Sequence, residues 1–165
     1  GDHRDLHLSL RRQRQMCIRD SVQHDVCRFQ IAVNHTILVS MLKCQGHLHA
    51  EVGQVVITAA PTREHLNPQG TVHGGYSATL LDACMGLAVA TTLEQGLSST
   101  TLEFKITFMR PVLPDSGTLT AIGTVLRSGR RAGYAEGKIT DTSGKLLAHA
   151  TTSCMIFERP EKDIS

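Results

Sequence analysis

The chain has no tryptophan, and aromatic residues make up only 4% of its 165 positions. A core must therefore be built from Leu, Val, Ile, Ala and Met. No apolar run approaches the ~20 residues needed to span a bilayer, so a membrane helix is not expected. The segment Ile37–Leu42 is too short, and too far from residue 1, for a signal peptide. The cysteines at 17, 27, 44, 84 and 154 are odd in number and include no Cys-x-x-Cys pair. That pattern argues against a disulfide framework and for a reducing, cytoplasmic compartment. A basic field is also missing. Of 17 basic and 15 acidic side chains, five Arg and three Asp lie in residues 1–20, which leaves twelve of each sign elsewhere. Nucleic-acid binding through bulk charge is not expected. Nine histidines invite a metal reading. His47 and His49 would share one strand face, but neither has a thiol or carboxylate at a recognised ligand spacing, so no metal is expected.

There are no internal repeats and no low-complexity linkers, which leaves one folded domain. Residues 1–21 are set aside as a disordered or non-native tail, because Arg11–Ser21 resembles translated adapter sequence. Residues 22–45 form an extension of undecided structure. The domain itself is expected over 46–158, with 159–165 as a tail. Within it, His47–Ala50 and Gln54–Ala59 read as a hairpin or a bulged strand pair around Gly53. Residues 61–70 read as a loop, and about Gly75–Leu93 as a helix closed by Gly96. Four strands follow: Thr100–Met109, Leu119–Leu126, Gly133–Thr140 and Lys145–Phe157. The separators are Pro111, Pro114 and Asp115-Ser116-Gly117, then Ser128-Gly129, then Asp141-Thr142-Ser143-Gly144. One helix with antiparallel strands is an α+β arrangement, with the sheet wrapped around the helix.

The helix carries the chemistry. From Tyr76 to Ala90 its residues are small or apolar almost all the way round, so it is expected to be buried. Asp82 interrupts that run. A carboxylate in such surroundings is costly unless it is paired or solvated, and carboxylates of that kind cluster at functional sites. His73-Gly74-Gly75 stands at the helix start, where bare N–H groups and the helix dipole favour developing negative charge. A base or nucleophile and an oxyanion site are thus encoded close together, which points to an enzyme. The bland alternatives are a structural carboxylate at 82 and close helix–sheet packing at the glycines.

Asn67-Pro68-x-Gly70-x-x-His73-Gly74-Gly75, with Leu81-Asp82 downstream, resembles the hotdog-fold acyl-CoA thioesterases of the phenylacetate-pathway (PaaI-like) family. The likeness continues through Thr101–Pro111, Gly129-Arg130-Arg131 and Gly144–Ala148, and covers roughly residues 41–158. It implies hydrolysis of an acyl-CoA to a free acid and coenzyme A. No metal or bound redox cofactor is needed, and coenzyme A enters only as part of the substrate. Asp82 is then the general base or the nucleophile, and the Gly74 N–H polarises the thioester carbonyl. Asn67 helps to place water or thioester, unless it is only a turn former. His73 lies beside the thioester in a structural or orienting role, and Thr101 is the best match for a hydroxyl that assists the water. Gly75 joins the substrate site. Gly129, Arg130 and Arg131 are either a clamp for the coenzyme A phosphates or a solvated hairpin tip.

The family's active site lies across a dimer interface, and some relatives pair dimers into tetramers. The spacing agrees with this: Asp82 and Gly74 lie ~10–14 Å apart along one helix, too far to grip one carbonyl in cis. A two-fold partner removes the problem. Aryl-acetyl and medium-chain acyl groups would enter a pocket near Phe104 and Phe108. The rivals are a hotdog dehydratase or hydratase, whose differently spaced histidine is missing, and a non-catalytic acyl-CoA-binding regulator, which is expected to lack the carboxylate at 82.

Overall fold

The computed structural model describes residues 47–159. The expectations for residues 1–46 and 160–165 fall outside the described residues. Six strands and one α-helix make up the described chain: β1 His47–Glu51, β2 Gln54–Ala59, α1 Gly74–Ala90, β3 Leu97–Phe108, β4 Leu119–Ser128, β5 Ala132–Thr140 and β6 Leu146–Glu158. A single 3-10 turn at Arg63–His65, which composition does not announce, lies in the loop before α1.

The strands form one antiparallel sheet in the order β1-β2-β4-β5-β6-β3. Alternate residues point inward, as a half-buried strand requires: Val55, Ile57 and Ala59 on β2, Ala135 and Ile139 on β5, Ala148 and Ala150 on β6. They meet Leu80, Leu81, Cys84, Met85, Ala88 and Val89 of α1, all buried. Glycine decides how close the helix comes. Gly123 and Gly137 face each other across β4 and β5. A Cβ on Gly123 would fall on the Cys84 carbonyl, and one on Gly137 would come within 2.9 Å of Met85. Gly133 leaves the same kind of room for Val89. These positions form a trough in which the helix backbone sits against the sheet.

Two expectations about the helix need correction. It ends at Ala90, and Gly96 does not close it. The Thr91 and Thr92 hydroxyls donate to the carbonyls of Ala88 and Val89, both at 2.7 Å, and so take over the last turn. Gly96, at φ +88°, instead serves the turn in which Leu97 N–H reaches the Glu94 carbonyl. Nor is the helix buried all round. Ala78, Thr79, Asp82, Ala83, Gly86 and Ala90 form a half-buried stripe on the side away from the sheet trough. A single curved sheet covers only part of a cylinder, and small residues do not announce which side stays open.

β3 is the outer strand beyond β6 and, among the described residues, pairs on one side only. It is twelve residues long, and Leu102, Phe104 and Phe108 are exposed on it. Long apolar edges of this kind are ready to pair with another chain. Among the described residues no helix is long and apolar enough to cross a membrane.

Candidate active site

The approach to α1 is a closed loop organised by Asn67. Its Oδ1 accepts from the Gln69 and Thr71 N–H groups at 3.0 and 3.1 Å, and its Nδ2 donates to Thr71 Oγ1 at 2.9 Å. Its backbone N–H donates to the Thr71 carbonyl, and its carbonyl accepts from Gly70 N–H. Gly70 takes φ +80°, a conformation few other residues adopt readily. Asn67 is therefore a turn former in fact, and one Nδ2 hydrogen is left for other work.

His73 caps the helix. Its Nδ1 accepts the Gly75 N–H at 2.9 Å, and its carbonyl accepts the Tyr76 N–H at 2.9 Å. A Cβ on Gly75 would lie 3.0 Å from that same Nδ1, so the capping ring and the glycine fit each other. The ring is exposed. Two of the first three N–H groups of α1 are thereby occupied, and Gly75 is not free to bind a ligand through its backbone. Gly74 N–H has no acceptor among the described residues.

Gly74 opens onto a cleft of about 280 Å³ shared with Asn67, Thr71, Ser77, Phe108 and Arg110. The Phe108 ring lies over Gly74, where a Cβ would come within 3.1 Å. Arg110 donates from Nη1 to the Leu146 carbonyl at 2.6 Å, which ties the end of β3 to the start of β6. Phe108 thus lines the cleft, whereas Phe104 does not. Asp82 and Thr101 do not line it either.

Those two form a second cluster. Thr101 Oγ1 donates to Asp82 Oδ1 at 2.9 Å, and both side chains are half-buried. A β-bulge between Thr101 and Glu103 shifts the β3–β6 register at that point. Bulges re-aim side chains, and this one lies at Thr101, whose hydroxyl reaches the helix. Asp82 Oδ2 makes no hydrogen bond among the described residues. Gly86, one turn further along, would place a Cβ no nearer than 3.9 Å to Thr101 Oγ1, so the space beside the pair stays open.

Two buried thiols flank this cluster. Burial pushes the Cys84 thiol from 9.0 up to about 12, and the Asp82 charge adds to the shift. Burial also raises Cys154, opposed by hydrogen bonds with the Thr101 and Thr152 hydroxyls. Both thiols stay protonated and pack as small apolar groups rather than nucleophiles.

Gly129, Arg130 and Arg131 are at the exposed tip between β4 and β5. Gly129 N–H donates to the Ala132 carbonyl at 2.9 Å, so it closes the hairpin and is not a free donor. The two guanidinium groups have no partner among the described residues. His47 and His49 share an exposed face of β1, and His49 Nε2 lies 3.4 Å from Glu51 Oε1. No three His, Cys, Asp or Glu side chains converge as metal ligands among the described residues.

The expected residues thus fall into three groups: Asn67 with Gly74, Asp82 with Thr101, and the arginine tip. Ser77 joins the first group in the cleft, and its signal in the sequence is a hydroxyl three residues after Gly74 in an apolar helix.

The thioesterase superfamily profile matches residues 69–148, a span that holds Gly74, Asp82, Thr101 and the arginine tip and begins two residues after Asn67. Human acyl-coenzyme A thioesterase 13 is 34% identical over 101 residues, covering 60% of this chain and 70% of that protein. A phenylacetic acid degradation-related protein of Ralstonia eutropha is 32% identical at a TM-score of 0.63, covering 71% of this chain and 89% of its own. A hypothetical thioesterase protein of Streptococcus pneumoniae, solved with coenzyme A, is 28% identical at a TM-score of 0.63. It aligns over 70% of this chain and 91% of its own. With the wrapped sheet and the His-Gly-Gly helix start in place, this chain belongs to the thioesterase superfamily, as a hotdog-fold thioester hydrolase of the PaaI-like type.

Proposed function

We propose that the protein hydrolyses an acyl-CoA thioester to a free acid and coenzyme A, at sites built across the two-fold axis of a homodimer. The observation that carries this reading is the Thr101–Asp82 hydrogen bond within a helix that begins at an unpaired Gly74 N–H. Asp82 holds one oxygen to Thr101 and keeps the other for the reaction. Acting as base, Oδ2 takes a proton from water while the water oxygen attacks the thioester carbon. Acting as nucleophile, Oδ2 attacks that carbon itself, and water then cleaves the resulting anhydride. In either case the carbonyl oxygen gains charge beside Gly74 N–H, the C–S bond breaks, and the coenzyme A thiolate takes up a proton.

A dimer is supported by three features. Asp82 does not line the cleft that Gly74 and Asn67 share. The α1 stripe around Asp82 is half open. The apolar edge strand β3, which carries Thr101, has no neighbour on its outer side among the described residues. Asp82 of one protomer would meet the Gly74 cleft of its partner, and pairing of dimers would give a tetramer. Coenzyme A as ligand is supported by its presence in the pneumococcal relative, and by two unpartnered arginines suited to its phosphates. His73 acts here as the cap that fixes the helix start. The chemistry needs no metal or redox cofactor, and the protein works on acyl-CoA in the cytoplasm, without nucleic acid or membrane.

Thiol release from a panel of acyl-CoAs tests the reading. Wild type is expected to turn over at least one member, and Asp82→Asn to lose more than about a hundredfold in kcat. Turnover that survives Asp82→Asn overturns the site. Saturable binding without turnover by wild type favours the acyl-CoA-binding regulator.

A further inference from the structure

We infer that Ser77 supplies a second hydrogen-bond donor to the thioester carbonyl, beside Gly74 N–H. The inference rests on the acyl-CoA hydrolase reading above and deepens it. An oxyanion site works through several donors aimed at one developing charge. Along α1 the backbone supplies few. Gly75 N–H is given to His73 Nδ1, and Tyr76 N–H to the His73 carbonyl. Only Gly74 N–H is free among the first three. Asn67 offers one remaining Nδ2 hydrogen, since its other bonds hold the loop.

Ser77 fills the shortfall. Its side chain is only 2% exposed, yet its hydroxyl has no hydrogen-bond partner among the described residues. A serine inside a helix commonly bonds back to the carbonyl four residues earlier, and this one does not. It lines the cleft with Gly74, Asn67 and Phe108. Residues three apart share one helix face, and side chains lean toward the N-terminus, so the hydroxyl is carried toward Gly74. A hydroxyl that makes no protein hydrogen bond and whose residue is exposed only at the cleft is available to a group bound there. A carbonyl oxygen becoming an oxyanion does so. The Ser77 proton stays on its oxygen throughout and donates a hydrogen bond that strengthens as the C–O bond lengthens. It withdraws when the C–S bond breaks and the carbonyl reforms.

The test compares Ser77→Ala, Ser77→Thr and Asp82→Asn on whichever acyl-CoA wild type hydrolyses fastest, with thermal denaturation to establish folding. Ser77→Ala is expected to lower kcat by about a hundredfold with KM changed less than about twofold, as for loss of one oxyanion donor. Ser77→Thr keeps the hydroxyl and is expected to recover most of the rate. A helix-packing role would instead lower the melting temperature while leaving kcat of the folded enzyme intact, and would overturn the inference. If Asp82→Asn abolishes turnover and Ser77→Ala leaves kcat unchanged, Ser77 is excluded and the hydrolase reading stands. If Asp82→Asn also leaves turnover unchanged, the hydrolase site itself is wrong.

Discussion

Thr101 on β3 donates its hydroxyl hydrogen to Asp82 on α1 across 2.9 Å and nineteen residues of chain. That bond leaves Asp82 with one oxygen held and one free, the arrangement a base or nucleophile needs.

Thr101→Val removes the donor while keeping shape and strand propensity. Hydrogen bonds to charged groups contribute about 1.5–3 kcal/mol, so kcat is expected to fall about ten- to hundredfold. Thr101→Ser is expected to stay within a few-fold of wild type. Steady-state thiol release measures both, and equal activity of the Val and Ser variants would show that the bond does not orient the carboxylate.

Shared sites predict complementation. Gly74→Val drives a side chain into the Phe108 ring and the cleft, so that variant is expected to be inactive, as is Asp82→Asn. In a mixture refolded at equal amounts, half of the dimers are hybrids. Each hybrid has one site with both Asp82 and Gly74 intact, so activity is expected to return to about a quarter of wild type. Sites built within one chain would give none.

Glycines on the two sides of α1 are expected to respond in opposite directions. Gly123→Ala places a methyl group on the Cys84 backbone, which cannot yield, and is expected to cost about 1–3 kcal/mol or more. Gly86→Ala meets nothing closer than 3.9 Å and is expected to gain about 0.8–1 kcal/mol of helix propensity. Urea unfolding of both variants decides it. A loss at Gly86 would mean that a second chain packs closely there.

The Cys84 thiol makes stability depend on alkaline pH. Its folded pKa is raised to about 12 from 9.0, so its contribution is fully present below about 9 and is lost as the pH climbs toward 12. Cys84→Ala is expected to flatten the fall in unfolding free energy over that window. An unchanged slope would assign the alkaline loss to other groups.

Much of the fold was legible in the residues themselves. Asp115–Gly117, Ser128-Gly129 and Asp141–Gly144 marked the turns that bound the strands, and His73-Gly74-Gly75 marked a helix start. These signals are local: periodicity and backbone preference act over a few residues. The strangeness of Asp82 was legible too, because one carboxylate stood in an apolar run. Thr101 beside it came only from the family likeness. Thr101 reaches Asp82 from β3, the strand beyond β6, at the point where that strand bulges. The helix end was misjudged at Gly96 because the Thr91 and Thr92 hydroxyls compete for the same carbonyls.

By itself, then, the sequence determined the α+β class, the glycine-led helix and the carboxylate within it. Only the tertiary structure decided how donors and acceptors are shared out. It gave the Gly75 N–H to His73, brought Gly74 and Ser77 to one cleft, and placed Asp82 on a half-open face. The reason is physical: each hydrogen bond takes one donor from a pool, and which donors remain depends on neighbours that the chain brings together from far apart.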